Sequence, residues 1–349
     1  MFENKGRTEI EQLGEFGLID HLTKNIKITQ KSTVKGIGDD AAVLNFANKK
    51  TLVSTDLLLE GIHFDLAYTP LKHLGYKAVQ VNLSDIYAMN GIASQVTVSI
   101  GISSKFPLEA VEELYQGIII ACEKYNVDLV GGDTSASKQG LIISVTSIGY
   151  ADEKQICYRD GAKEGDLLCV SGDLGGAYIG LQLLEREKRI FLDNPKIQPD
   201  LEGKDYIVER QLKPEARKDI VEALQIMKVK PTSMIDISDG LASEIIHLCK
   251  QSDKGCSLYE EKIPIDPMTY DTARDFGIDP TVCALNGGED YELLFTIDQK
   301  DFETVKNNPD ISIIGHITEP SAGYHLVSKA GKVHPLTAQG WNSLKSNEE

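Results

Sequence analysis

From residue 51 onward the chain alternates two hydrophobic periods. Thr51–Thr55 predicts a short strand, and Leu74, Ala78, Val81, Asp85 and Ala88 fall at helical spacing. A second strand is predicted at Val96–Ile102. Leu108, Val111, Tyr115, Ile118, Cys122 and Tyr125 then trace another helical stripe, ahead of short apolar segments at Val127–Val130 and Leu141–Tyr150.

The pattern restarts near Asp166 with a strand at Leu167–Val170 and a Gly-rich turn, Ser171-Gly172-Asp173-Leu174-Gly175-Gly176, that leads into a helix. Polar residues from Glu185 to Gln211, with prolines at 195 and 199, predict a loop or irregular insertion. After Pro214 come a helix, a strand at Ser233–Ile237, a helix through Leu241, Ile245 and Leu248, a strand at Tyr291–Thr296 and a β region around Ile311–Val327. The fold class is therefore mixed α/β (α+β). A chain of 349 residues exceeds the usual single core, so two domains are expected, 1–152 and 153–349, with the changeover near 151–165. No long repeat or low-complexity tract is present, and Gly131-Gly132-Asp133 echoes Gly287-Gly288-Glu289 only weakly.

Composition narrows the partners. Hydrophobic residues at 41% and charged residues at 26% are the balance of a folded soluble protein. Asp plus Glu total 53 against 36 Lys plus Arg, and the net charge of −17 repels nucleic acid and anionic membranes. An anionic nucleotide handled by such a chain needs local neutralisation, for which a divalent metal is the usual agent. Six cysteines without a C-x-x-C pair, no apolar leader and no run of ~18 apolar residues predict a cytoplasmic protein with reduced thiols.

Neither G-x-x-x-x-G-K-[ST] nor G-x-G-x-x-G occurs, so the common phosphate cradles are missing. Aspartate recurs at strand ends instead: Gly38-Asp39-Asp40-Ala41, Ser54-Thr55-Asp56, Asn82-Leu83-Ser84-Asp85, Gly131-Gly132-Asp133-Thr134 and Asp236-Ile237-Ser238-Asp239-Gly240. Carboxylates converging from separate loops, completed by phosphate oxygens and water, suit magnesium. Each alone also reads as a turn or cap residue, as Asp239 before Gly240 and Leu241 would be. Asp85 differs, because it lies on the apolar stripe, where an ionised carboxylate needs a metal or a buried salt bridge. His63 reads as a loop histidine or a substrate contact, and Arg159 as a phosphate fork or a solvated side chain. Gly287-Gly288-Glu289-Asp290-Tyr291-Glu292 crowds three acids beside two glycines, an uncommon composition for a turn, and Glu289 suits a polar or cationic ring substituent. The Ser171–Gly176 turn offers N–H groups to an anion or is a plain strand-to-helix turn. Trp341, the only tryptophan, is a core or flap anchor, or stacks on a flat heterocycle.

In order along the chain, Gly14-Glu15-Phe16, Gly36-Ile37-Gly38-Asp39-Asp40-Ala41, Ser54-Thr55-Asp56, Gly61-Ile62-His63-Phe64, Leu74-Gly75-Tyr76-Lys77-Ala78, Asn82-Leu83-Ser84-Asp85 and Gly131-Gly132-Asp133-Thr134 resemble the amino half of thiamine-monophosphate kinases. Arg159 with Gly161-Ala162, Ile235-Asp236-Ile237-Ser238-Asp239-Gly240-Leu241, Gly287-Gly288-Glu289-Asp290-Tyr291-Glu292 and Gly340-Trp341 resemble the carboxyl half in the same order. An ordered series of about ten motifs is far more specific than any one of them.

The resemblance implies the two-domain architecture shared with aminoimidazole ribonucleotide synthetase, selenophosphate synthetase and a hydrogenase-maturation enzyme. It implies an amino-terminal domain that binds ATP and magnesium and pairs in a homodimer, with a carboxyl-terminal domain completing the active site. Carried over residue by residue, Asp40, Ser54, Thr55, Asp56, Asp85, Asp133, Asp236 and Asp239 would bind several magnesium ions. Gly132, Asp133, Arg159 and Ser238 would contact ATP, and His63, Glu289 and Trp341 would face thiamine monophosphate. The implied reaction moves the γ-phosphoryl of ATP onto the phosphate of thiamine monophosphate, with no protein nucleophile, because the acceptor is already an anionic oxygen. The alternatives are another enzyme of the superfamily and a catalytically silent nucleotide-binding dimer. Selenophosphate synthetase would carry a reactive cysteine in a Gly-rich amino-terminal segment, whereas the first cysteine here is Cys122 in a predicted helix.

Overall fold

The alternating pattern of the first half becomes a four-stranded sheet carrying two helices. The computed structural model describes residues 21–35 and 43–339, and separates into two compact units, Met1–Ile86 with Gly91–Lys154 and Tyr87–Asn90 with Gln155–Glu349. In the first unit the short strands β1 (Thr33–Lys35) and β2 (Val43–Leu44) pair antiparallel. There follow β3 (Lys50–Leu59), α1 (Leu71–Ala88), β4 (Ile92–Ile102), α2 (Leu108–Tyr125), β5 (Asp128–Ala136) and β6 (Ile142–Ala151). The sheet order is β3-β6-β4-β5, with β4 and β5 parallel and the other pairs antiparallel.

The helical stripe read from sequence understates α1, which is buried on every side from Leu74 to Ser84. It crosses α2 backbone to backbone: a Cβ at Gly75 would collide with the Leu114 carbonyl oxygen, and one at Gly117 with that of Lys72. Gly75 of the Leu74–Ala78 motif therefore has a packing role. Asp128, buried at the head of β5, accepts the Thr29 N–H at 2.7 Å, the Thr29 hydroxyl at 3.0 Å, the Gln30 N–H at 3.0 Å and the Thr33 hydroxyl at 2.7 Å. Four donors offset the cost of burying that charge and pin β1 to the sheet.

The second unit contains β7 (Leu167–Ser171), α3 (Gly176–Asp193), α4 (Asp205–Leu212), α5 (Lys218–Met227), β8 (Ser233–Asp236), α6 (Leu241–Ser252) and β9 (Gly255–Tyr259). It continues with α7 (Pro267–Asp275), α8 (Pro280–Asn286), β10 (Leu293–Ile297), α9 (Phe302–Val305), β11 (Ile311–Thr318), β12 (Tyr324–Val327) and β13 (Val333–Pro335). Its seven strands run in the order β13-β12-β9-β11-β7-β10-β8, and only β12 and β9 are parallel. Leu168, Val170, Ile235, Ile237, Leu241, Ile245, Leu248 and Leu294 form the centre of its core.

The stretch from 185 to 211, expected to be irregular, is mostly helical. Glu185 to Arg189 are strong helix formers, and they extend the buried face of Ile179, Leu183 and Leu184, so α3 runs on to Asp193. Pro195 and Pro199 fall in the connection that follows, and α4 then buries Ile207, Gln211 and Leu212.

Candidate active site

In the first unit, period-two alternation along β3 divides the Ser54-Thr55-Asp56 motif between the two faces of the sheet. Ser54 and Asp56 face α1. The Ser54 hydroxyl donates to Asp85 Oδ2, and Asn82 Oδ1, one helical turn before Asp85, accepts the Asp56 N–H at 3.0 Å. Thr55 faces the other way, donating to the Val145 carbonyl at 3.0 Å and accepting from the Thr146 hydroxyl at 3.0 Å. Its hydroxyl is therefore on the face away from the acids. Burial first, and the Asp85 charge second, push the Asp56 carboxyl up to about 6.

The Gly131-Gly132-Asp133-Thr134 motif, expected to follow a strand, lies within β5. Asp56 pairs with Val145, Val145 with Val98 and Val98 with Gly132, so the two motifs stand in one row at opposite edges of the sheet. Three strand spacings put them about 14 Å apart. A Cβ at Gly132 would collide with the Val98 carbonyl oxygen, which restricts the position to glycine, and Asp133 beside it is exposed. His63 is exposed on the loop after β3, its Nδ1 accepting the Leu59 N–H at 3.1 Å, which leaves the ring proton on Nε2.

In the second unit, Asp236 ends β8 and the chain turns through Ile237–Gly240 into α6. The acidic Gly287–Glu292 loop pairs with this turn. Glu289 N–H donates to the Ser238 carbonyl at 2.7 Å, Tyr291 N–H to that of Ile237 at 2.8 Å, and Ile237 N–H to that of Glu292 at 2.8 Å. Two motifs far apart in sequence are thus one structure. A Cβ at Gly288 would strike the Ser238 carbonyl oxygen, while Glu289 and Tyr291 hold φ of 66° and 52°, a concentration of backbone strain typical of functional loops.

The loop's three acids have different partners. Asp290 accepts the Gly175 N–H at 2.8 Å and the Ala177 N–H at 3.5 Å, so the anion held by the Gly-rich turn is the chain's own carboxylate. Burial pushes that carboxyl up to about 7, against the pull of Arg210 at 3.5 Å. Glu292 accepts from the Ser171 hydroxyl at 2.5 Å, Arg210 Nη1 at 3.0 Å and Arg217 Nη1 at 2.5 Å. Glu289, half-buried, accepts from Gln211 Nε2 at 2.8 Å.

Ser238 and Asp239 are exposed while Asp236 is buried. Glu244, in the first turn of α6, was missed by the sequence reading. Its Oε1 accepts the Asp239 N–H at 3.2 Å, and its buried Oε2 has no hydrogen-bond partner among the described residues. Burial, reinforced by the charges of Asp239 and Asp236, pushes its carboxyl up to about 8. Arg159 is exposed, and its carbonyl accepts the Ser252 hydroxyl at 3.0 Å. Asp40 and Trp341 lie outside the described residues; Gln339, two positions before Trp341, donates its N–H to Asn286 Oδ1 at 2.9 Å, next to Gly287.

Among the described residues no three His, Cys, Asp or Glu side chains gather closely enough to hold a metal ion by themselves. The residues present still suit magnesium, which binds through one or two carboxylates and completes its shell with phosphate oxygens and water. Asp56 and Asp85 are such a pair, and their mutual repulsion is what a divalent cation relieves.

Residues 38–151 match the family described as AIR synthase related protein, N-terminal domain. The thiamine-monophosphate kinase of Aquifex aeolicus (strain VF5) is 35% identical over 91% of this chain and 99% of its own length. That of Bacillus subtilis (strain 168) is 32% identical over 95% and 100%. Among solved structures, AaThiL complexed with AMPPCP and TMP is 34% identical, covers 97% of this chain and 99% of its own, and superposes with a TM-score of 0.72. The hydrogenase maturation protein HypE in complex with ATP has a TM-score of 0.72 at 18% identity and shares the fold.

Proposed function

We propose that this chain, which belongs to the thiamine-monophosphate kinase family, uses ATP to phosphorylate thiamine monophosphate, giving thiamine diphosphate and ADP. The observation that carries this reading is the end-to-end similarity to a structure complexed with AMPPCP and TMP.

The chemistry asked of the protein is positioning. Donor and acceptor are both anionic, so the barrier lies in holding two phosphates in line against their repulsion and in stabilising charge on the transferring group. Magnesium, when bound, supplies that neutralisation. Asp56 and Asp85, with Ser54 fixing the Asp85 carboxylate, would hold it in the first unit together with Asp40, Asp133 and the main chain of Thr55. Asp236 and Asp239 would do so in the second, where the Glu244 carboxyl steadies the Asp239 main chain. Gly132, Asp133, Ser238 and Arg159 would contact ATP. The exposure of Ser238 supports its assignment. His63, Glu289 and Trp341 would face the acceptor.

Val53, 66% exposed, and Leu57, 50% exposed, form an apolar strip on the face of β3 away from the acids, which supports pairing of two copies through this sheet. All six cysteines are free and buried, which favours the cytoplasm. Among the described residues no helix is long and apolar enough to cross a membrane.

Purified protein given ATP, magnesium chloride and thiamine monophosphate is expected to form thiamine diphosphate and ADP in equal amounts by chromatography. EDTA in excess should stop the reaction, and added magnesium should restore it. Absence of product, or turnover undiminished by chelation, would sink this reading. The same sample is expected to sediment as a dimer, and a monomer at micromolar concentration would remove the pairing proposal alone.

A further inference from the structure

We propose that Gln211 is a positioning residue for the acceptor, acting through Glu289. The inference rests on the reading of Glu289 as the residue that meets thiamine monophosphate.

Helix α4 delivers two consecutive side chains to one loop. Arg210 goes to Asp290 and Glu292, anchoring the loop's base beside the Gly-rich turn. Gln211 goes to Glu289, its Nε2 lying 2.8 Å from Oε2. Gln211 is only 5% exposed, so its amide is confined by its surroundings and arrives with little rotamer freedom left to lose. The Glu289 main chain is fixed independently, by its N–H on the Ser238 carbonyl at 2.7 Å and by its left-handed backbone. Backbone and carboxylate are therefore each held from a different element, the backbone by the turn after β8 and the carboxylate by α4.

A carboxylate held in this way meets a ligand without first being ordered, which lowers the entropy cost of binding. The contact from Gln211 is a neutral amide donor, so that contact leaves the carboxylate its charge. Ser238, on the other side of the Glu289 main chain, belongs to the turn assigned to ATP. Loss of the Gln211 contact acts on the Glu289 side chain and leaves the pairing with Ser238 in place. The consequence is a kinetic signature confined to the acceptor.

The test is steady-state kinetics on Gln211→Leu, Glu289→Ala and the double variant, with thermal melts to confirm folding. Gln211→Asn, too short to reach Glu289, replaces Gln211→Leu if that variant melts early. Gln211→Leu is expected to raise KM for thiamine monophosphate about tenfold and to leave KM for ATP and kcat within about twofold. The double variant is expected to be no worse than Glu289→Ala, since a residue acting through Glu289 has nothing left to act on. Additive losses, or an equal rise in KM for ATP, would mean that Gln211 only supports the fold and would overturn the proposal. Parental KM in Gln211→Leu beside an impaired Glu289→Ala overturns it alone. Parental KM in Glu289→Ala overturns the assignment of Glu289 and takes the proposal with it.

Discussion

Asp56→Asn is expected to lower turnover about a thousand-fold, equivalent to about 4 kcal/mol of transition-state stabilisation, while making the metal-free protein more stable. Both effects come from the same carboxylate. Asp56 is held up at about 6 because burial and the neighbouring Asp85 disfavour its charge. A carboxyl whose folded pKa is raised contributes stability that is fully present below about 4 and is lost as pH rises through about 6. At pH 7.5 the parent therefore carries the full cost of an ionised Asp56, and the amide does not. With solvent screening allowed for, the gain is on the order of 1 kcal/mol, read as a higher urea midpoint without metal. The two proteins should converge near pH 4, where Asp56 is protonated. Added magnesium should stabilise the parent more than Asp56→Asn, since the variant keeps one carboxylate of the Asp56–Asp85 pair where the parent has two. Near-parental turnover in Asp56→Asn, or a variant less stable than the parent at pH 7.5, would remove Asp56 from the metal-binding role.

Asp85 shows how far a candidate metal site could be read in the sequence and where that reading stopped. A carboxylate at an apolar helical position is costly alone, so its presence demands a partner. The structure supplies the Ser54 hydroxyl and sets the like charge of Asp56 beside it, a repulsion that a bound cation would relieve. The reversal of Thr55 was equally legible, because alternation along a strand sends neighbours to opposite faces. The pairing of Asp236–Gly240 with Gly287–Glu292 was not, since it depends on β8 and β10 being neighbours in the sheet. Nor was Glu244, which sits one turn into a helix where an acid ordinarily means only a favourable helix dipole.

Two elements were missed despite a visible signal. Asp266-Pro267 and Asp279-Pro280 are each an N-cap followed by a first-turn proline. Each aspartate accepts the N–H two residues on, at 2.7 Å from Met268 and 2.8 Å from Thr281. The short helices behind them bury few residues and gave the hydrophobic pattern little to show. In 185–211 the charged run and the two prolines outweighed helix propensity, although the prolines lie beyond the end of α3.

Glu292→Gln is expected to destabilise the second unit by about 3 kcal/mol. Glu292 is 2% exposed and receives two guanidiniums and a hydroxyl, so the amide leaves Arg210 and Arg217 close together in a buried setting with one anion fewer. Breaking a buried pair in this way costs about 3–5 kcal/mol. The lower figure applies because the Glu292 charge is among the causes that raise the Asp290 carboxyl, and its removal lets Asp290 ionise more readily beside Arg210. Some positive charge is thereby compensated from within. Glu289→Gln should do the opposite, costing little stability at its half-buried position and weakening acceptor binding. Guanidinium denaturation followed by KM for thiamine monophosphate separates the two. A Glu292→Gln protein as stable as the parent would mean that the arginines find water or another anion, and that Glu292 does not hold this loop in place.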